Sequence, residues 1–163
     1  MRHHSKKVSS SRRADHSKYI TGKAEDLGSR HLFIPGEGNK CLNSSLAVSQ
    51  YLEENLSERN RDSFFIILLN NDNKVLDMVE ICDITHTTAD NYTPEVIQKA
   101  RDYKAVSLIF VQNVPSRPAT PFQRDREICK DLKLALSGVN VTLLDHLIIT
   151  RNQCYSFADN RLL

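Results

Sequence analysis

Residues 106–125 read VSLIFVQNVPSRPATPFQRD, and how this stretch is read decides the fold. It opens on an apolar run of strand length, passes through a polar loop and enters a segment whose apolar residues recur at helical spacing. A loop between a buried strand and a helix is a common place for chemistry, because the rigid elements position whatever the loop carries. This loop carries Asn113, Arg117, Arg124 and Asp125. It has no histidine, no cysteine and no phosphate-binding glycine.

Working outward, residues 120–123 (Thr-Pro-Phe-Gln) predict a capping box with proline at the first helical position. The helix that follows is expected to bury Ile128, Cys129, Leu132, Ala135 and Leu136 and to stop at Gly138. Upstream, Thr93, Pro94 and Glu95 predict the start of a helix running to about Tyr103. Before it, DSFFIILL and KVLDMVEICDI (Lys74 to Ile84) flank the turn Asn70 to Asn73 and predict a β-hairpin. A further helix is expected from a Ser44 or Ser45 cap, with Leu46, Ala47, Tyr51, Leu52 and Leu56 along one face. VNVTLLDHLIIT and QCYSFAD close the chain as strands around the turn TRNQ. The order α-β-β-α-β-α-β-β predicts an α/β (α+β) fold, a three-layer mixed sheet flanked by helices.

Residues 1 to 30 carry eight Lys or Arg against three acids, a net of +5, so the remaining residues sum to −3. This segment lacks hydrophobic periodicity, and the chain divides into a disordered basic arm, 1–30, and one domain, 31–163. The arm is read either as a solubilising tail or as a polyanion or nucleic-acid contact through Lys6, Lys7, Arg12, Arg13 and Lys18. Cys41, Cys82, Cys129 and Cys154 stand singly, as reduced, buried small hydrophobes do, and predict neither a disulfide framework nor a zinc ribbon. The longest apolar run, Phe64 to Leu69, is too short for a bilayer, and no secretory leader pattern is visible. The expectation is a cytoplasmic protein without a membrane partner.

The element order, with LDHLII and SFADNRLL closing it, resembles the C-terminal domain of the RadC family, within the JAB/MPN/JAMM group of zinc metallopeptidase-like folds. The likeness runs from about Asn43 to Leu163. The family's loop reads His-x-His-Pro-Ser-Gly, then Pro, then Ser-x-x-Asp. Here it reads Gln112-Asn113-Val114-Pro115-Ser116-Arg117, then Pro121, then Phe122-x-x-Asp125, without a gap. The resemblance implies a zinc held by two histidines and an aspartate, an upstream glutamate as general base and a serine at the oxyanion. Of these, Asp125 stands; Gln112 and Val114 replace the histidines and Phe122 the serine. The glutamate is either Glu80, after a one-residue slip, or is replaced by Val79.

One carboxylate cannot do the work of a zinc site, whose binding is worth about 10 to 16 kcal/mol with its full ligand set. Without the metal nothing lowers the pKa of an attacking water. The expectation is therefore a catalytically inactive RadC/JAMM-like domain with no cofactor. It would bind a protein partner or itself, with Gln112, Asn113, Ser116, Arg117 and Arg124 at the binding surface and Glu80 and Asp125 as relics. The competing expectations are an atypical hydrolase, with His86 rebuilding a metal site or Glu80 and Asp125 acting without metal, and a DNA-associated protein using the arm. His146 is read as a hydrogen-bonded structural residue. Asp125, on the core side of its helix, needs a positive partner in place of a metal, and Arg117, or failing that Arg124, is expected to supply it.

Overall fold

A computed structural model describes residues 30–31, 41–81 and 89–163. The basic residues Lys6, Lys7, Arg12, Arg13 and Lys18, and likewise Cys82 and His86, lie outside the described residues. Among those described, the elements run β1 (Arg30–His31), α1 (Ser45–Leu56), β2 (Ser63–Leu69), β3 (Val75–Ile81), α2 (Ala89–Asp102), β4 (Ser107–Asn113), α3 (Gln123–Ser137), β5 (Thr142–Ile149) and β6 (Cys154–Ser156). The strands form one sheet in the order β1-β3-β2-β4-β5-β6. Only β4 and β5 are parallel, with α3 as their crossover; the other pairs are antiparallel.

Every residue of β2 and of β4 is buried, because both faces of the sheet are covered. Phe64, Ile66 and Leu68 face one core with Phe110, Val96 of α2 and Ile128 and Leu132 of α3. Phe65, Ile67 and Leu69 face the other, with Val48, Tyr51, Leu52 and Leu56 of α1. The result is the expected three layers: α1, the sheet, then α2 with α3. The hairpin between β2 and β3 turns through Asn70, whose side-chain oxygen accepts from the backbone N–H of Asp72 and Lys74, and Asn73 takes the left-handed conformation at φ 56°.

Several boundaries differ from the sequence reading. Ser44 caps α1, its hydroxyl accepting from the Ala47 N–H at 3.2 Å, but Leu46 is exposed and Val48 takes the inner position. Helix α2 starts at Ala89, so Pro94 lies inside it. The extra turn carries Tyr92 into the core, its ring 5.8 Å from that of Phe64 and 6.1 Å from that of Phe110. Thr120 does not cap α3; Phe122 stands at the cap, and its N–H donates to the Asp125 carboxylate at 2.7 Å. Ala135 is only half-buried, and β6 ends at Ser156, short of the predicted strand. Of the three cysteines among the described residues, Cys129 is buried, Cys41 is partly exposed and Cys154 is exposed on the edge strand. Among the described residues no helix is long and apolar enough to cross a membrane.

Tyr92, Phe64 and Phe110 form one cluster across two elements of the sheet and α2, so truncating Tyr92 leaves a cavity the rigid sheet cannot close. Tyr92→Ala is expected to cost about 3–5 kcal/mol, and Leu46→Ala, at a 68% exposed position, within about 0.5 kcal/mol. Urea denaturation midpoints of the two variants check the difference.

Candidate functional site

Side chains alternate along β4, so neighbouring residues of the loop's leading edge go to opposite faces of the sheet. Gln112 pairs with Phe64 and shares its face, towards α3. Asn113 goes to the face of α1, where its amide donates to the carbonyls of Arg61 (3.0 Å) and Arg59 (3.5 Å). Val114 turns back into the core beside α3 and is 2% exposed.

Asp125, on the first turn of α3, is the centre of the polar cluster on the α3 side. Nη2 of Arg117 donates to both its oxygens, at 3.0 and 2.9 Å. The Gln112 amide donates to Oδ1 at 2.9 Å and the Phe122 N–H to Oδ2 at 2.7 Å. Nη1 of Arg117 reaches the carbonyls of Pro118 (3.3 Å) and Thr120 (3.2 Å), and its Cζ lies 4.4 Å from the centre of the Phe122 ring. A buried carboxylate thus receives a guanidinium, an amide and a backbone N–H, and the guanidinium is itself fixed by the loop it closes. This is the Arg117 pairing expected from the sequence.

The cluster continues to His146 of β5, which is fully buried, stacked on Phe157 at 4.4 Å and edge-on to Phe110 at 5.1 Å. Its Nε2 lies 3.3 Å from Oε1 of Gln112. A carboxylate only accepts, so Gln112 must turn its NH2 to Asp125 and its oxygen to His146. That orientation puts the imidazole proton on Nε2 and leaves Nδ1 as a bare acceptor, which has no hydrogen-bond partner. Burial pushes the His146 pKa down to about 4; the Asp125 charge pulls it up and that of Arg117 presses it down again. A neutral imidazole in an aromatic slot is a packing residue with one polar tie, as the sequence reading had it.

Glu80 is not brought to this cluster. It pairs across the sheet with Phe65, which faces α1, whereas Val79 pairs with Ile66 on the face of α2 and α3. The residue sharing the face of Gln112 and Asp125 is therefore Val79, and Glu80 lies on the other side of the sheet. Arg59 (3.1 Å) and Arg61 (2.6 Å) hold the Glu80 carboxylate on the other side. With the sheet between them, Glu80 and Asp125 cannot act on one bond, since general acid–base partners must both lie within hydrogen-bond reach of it. The arginines that hold Glu80 were missed from sequence, as nothing in RNRD ties it to a strand some twenty residues on.

The other candidates are dispersed. Ser116 is exposed and donates to Asp62 at 2.9 Å; Arg124 is exposed on α3. Cys129 is buried, and burial, with the Asp145 charge adding, pushes its thiol up to about 11, so it is protonated and no nucleophile at neutral pH. On the α1 side a groove of about 650 Å³ runs between α1 and the β5–β6 turn, with Leu52, Leu56 and Ile149 apolar and Arg59, Asn113 and Arg151 polar.

The donor set beside Asp125 does not fit zinc. An amide and an isopropyl group occupy the two histidine positions, and a guanidinium already sits on both carboxylate oxygens. Among the described residues no group of three or more His, Cys, Asp or Glu could hold a metal ion.

The three layers, with a polar cluster set by β4, the loop and α3 at the end of the sheet, agree with the fold that the sequence resemblance implies. The RadC-like JAB domain profile matches residues 42–162, and the chain belongs to this family. It is 34% identical over 134 residues to a UPF0758 protein of Saccharophagus degradans, covering 82% of this chain and 60% of the relative. It is 33% identical over 134 residues to a UPF0758 protein of Aliivibrio fischeri, with the same coverage, and 32% identical over 144 residues to one of Vibrio vulnificus, covering 88% and 64%. The chain thus spans about three-fifths of the length of these curated relatives.

Two outcomes follow from this geometry. Removing Arg117 alone strands the Asp125 carboxylate, 4% exposed, with only the Gln112 and Phe122 donors. Arg117→Ala is expected to cost about 3 kcal/mol, the lower end of what breaking a buried ion pair costs, and Arg117→Ala/Asp125→Ala less than the single change. Equal denaturant midpoints for the parent and both variants would refute this.

His146 sets a pH dependence. Its folded pKa of about 4 lies below the ordinary 6.5, so between these values the unfolded chain binds the proton and the folded chain does not. The stability it contributes is fully present above about pH 6.5 and is lost as pH falls towards 4, up to roughly 3 kcal/mol. Unfolding curves at pH 7, 5.5 and 4.5 should show this slope, and His146→Gln should flatten it.

Proposed function

We propose that this chain is a non-catalytic member of the RadC-like JAB family that works as a protein-binding module, with another protein or a second copy of itself as the partner. One observation carries this reading: both oxygens of Asp125 are committed to Arg117, and the residues beside it are Gln112 and Val114. The cluster has neither a base nor a nucleophile. His146 has its proton on the Gln112 side and a bare nitrogen walled by aromatic rings, and Glu80 faces the opposite layer. A packed core and a loop held by the hydrogen bonds of Arg117 are what a binding scaffold needs, and both are present among the described residues.

The purified full chain, supplied with zinc, is expected to retain none in stoichiometric amount after dialysis and to cleave no peptide or isopeptide bond in a chelator-sensitive way. Cleavage abolished both by chelator and by Asp125→Ala would overturn the proposal. Sedimentation equilibrium over a hundredfold range of concentration tests the second copy as partner: self-association supports it, and a monomer throughout rules it out.

A further inference from the structure

We propose that Arg117 is a metal-excluding residue: its guanidinium occupies the coordinating side of Asp125, so restoring imidazoles at positions 112 and 114 would not by itself restore metal binding. This rests on the metal-free reading of the site but goes beyond it. Loss of ligands alone would leave a site that two substitutions could repair. A resident cation makes the loss self-locking.

The geometry carries the distinction. Asp125 has two oxygens, and each already accepts two hydrogen bonds, with Arg117 Nη2 donating to both at 3.0 and 2.9 Å. A zinc ion needs a carboxylate oxygen at about 2.0–2.2 Å. Any ion at that distance on the same side of the carboxylate would lie against the guanidinium, so like charges would meet in a buried place where screening is weak. Arg117 cannot simply swing away. Its other terminal nitrogen is held by the carbonyls of Pro118 and Thr120, and its plane lies by the Phe122 ring. The side chain is 18% exposed, although it leaves an open surface loop.

Phe122 belongs to the same device. Phe122 is exposed, and its ring lies beside the guanidinium, where it covers one face of the cation. Arginine where the resemblance expects glycine and phenylalanine where it expects serine therefore make one unit: a cation and the aromatic wall that keeps it over Asp125.

The test measures zinc binding by titration calorimetry, with elemental analysis after dialysis, on matched pairs that differ only at Arg117. The first pair is Gln112→His/Val114→His with and without Arg117→Gly. Zinc is expected to bind the triple variant with one site per chain, and the double variant at least about a hundredfold more weakly. Val114 packs in the core, and its replacement is the step that could prevent folding. The second pair is therefore Gln112→His with and without Arg117→Gly, a weaker carboxylate–imidazole site probed at millimolar zinc. There the same ordering is expected. Equal zinc affinity within either folded pair, whether both bind or neither does, overturns the role of Arg117. Stoichiometric zinc in the unsubstituted chain would instead overturn the metal-free reading itself, so the two failures are distinguishable.

Discussion

The cluster on the α3 side depends on where the charge of Asp125 is answered. A carboxylate on the first turn of α3, turned to the core, must be neutralised or it costs several kcal/mol. Arg117 answers it from a loop position eight residues earlier, and the consequences spread outward. The loop is drawn over the helix start, so its Pro118 and Thr120 carbonyls find a donor, and the helix begins at Gln123 because the same carboxylate takes the Phe122 N–H. One side chain thus acts as ion-pair partner, loop clasp and reason for the helix boundary.

The sheet's alternation separates the two residues between which the chain's own spacing left a choice. On linear reading Glu80 and Val79 compete for one position, separated by a single-residue slip. In an antiparallel ladder a slip of one residue exchanges faces completely. The register Phe65 to Glu80 and Ile66 to Val79 puts the carboxylate with α1 and the isopropyl group with α3. Register depends on pairing with β2, a contact across the hairpin that no local pattern reports. Arg59 and Arg61 then make the face exchange affordable by giving Glu80 two cations.

Much of the architecture was legible because it is written in patterns of period two and 3.6. SFFIILL reads as a strand by its length and its aromatic and β-branched content, and NNDN reads as the turn of a hairpin; the structure has both. The Arg117–Asp125 pair was legible too, since helical spacing put Asp125 inward and only nearby arginines could reach it. The misses share a physical cause: a tertiary contact outweighed a local preference. Proline at position 94 marks a helix start, but burying Tyr92 against Phe64 and Phe110 rewards an earlier turn. Thr120 is a better cap than Phe122 by propensity, yet the N–H of Phe122 has a charged acceptor at 2.7 Å. Leu46 and Val48 were exchanged because an apolar stripe two residues wide admits either phase until the sheet below selects one.

The last link joins the cluster to the end of the chain. Gln112 is an amide with one face that must donate to Asp125, so its carbonyl oxygen is left to face His146. An imidazole there is useful only while neutral, with its proton towards the oxygen and its flat face on Phe157. Phe157 in turn donates its backbone N–H to the carbonyl of His146, and Asp145 binds the Ser156 hydroxyl at 2.6 Å and the Ala158 N–H at 3.0 Å. The closing turn after β6 is therefore tied to β5 through the same residues that orient the site. The charge on Asp125 fixes the amide, the amide fixes the tautomer, and the neutral ring so fixed packs the terminal Phe157 against the sheet.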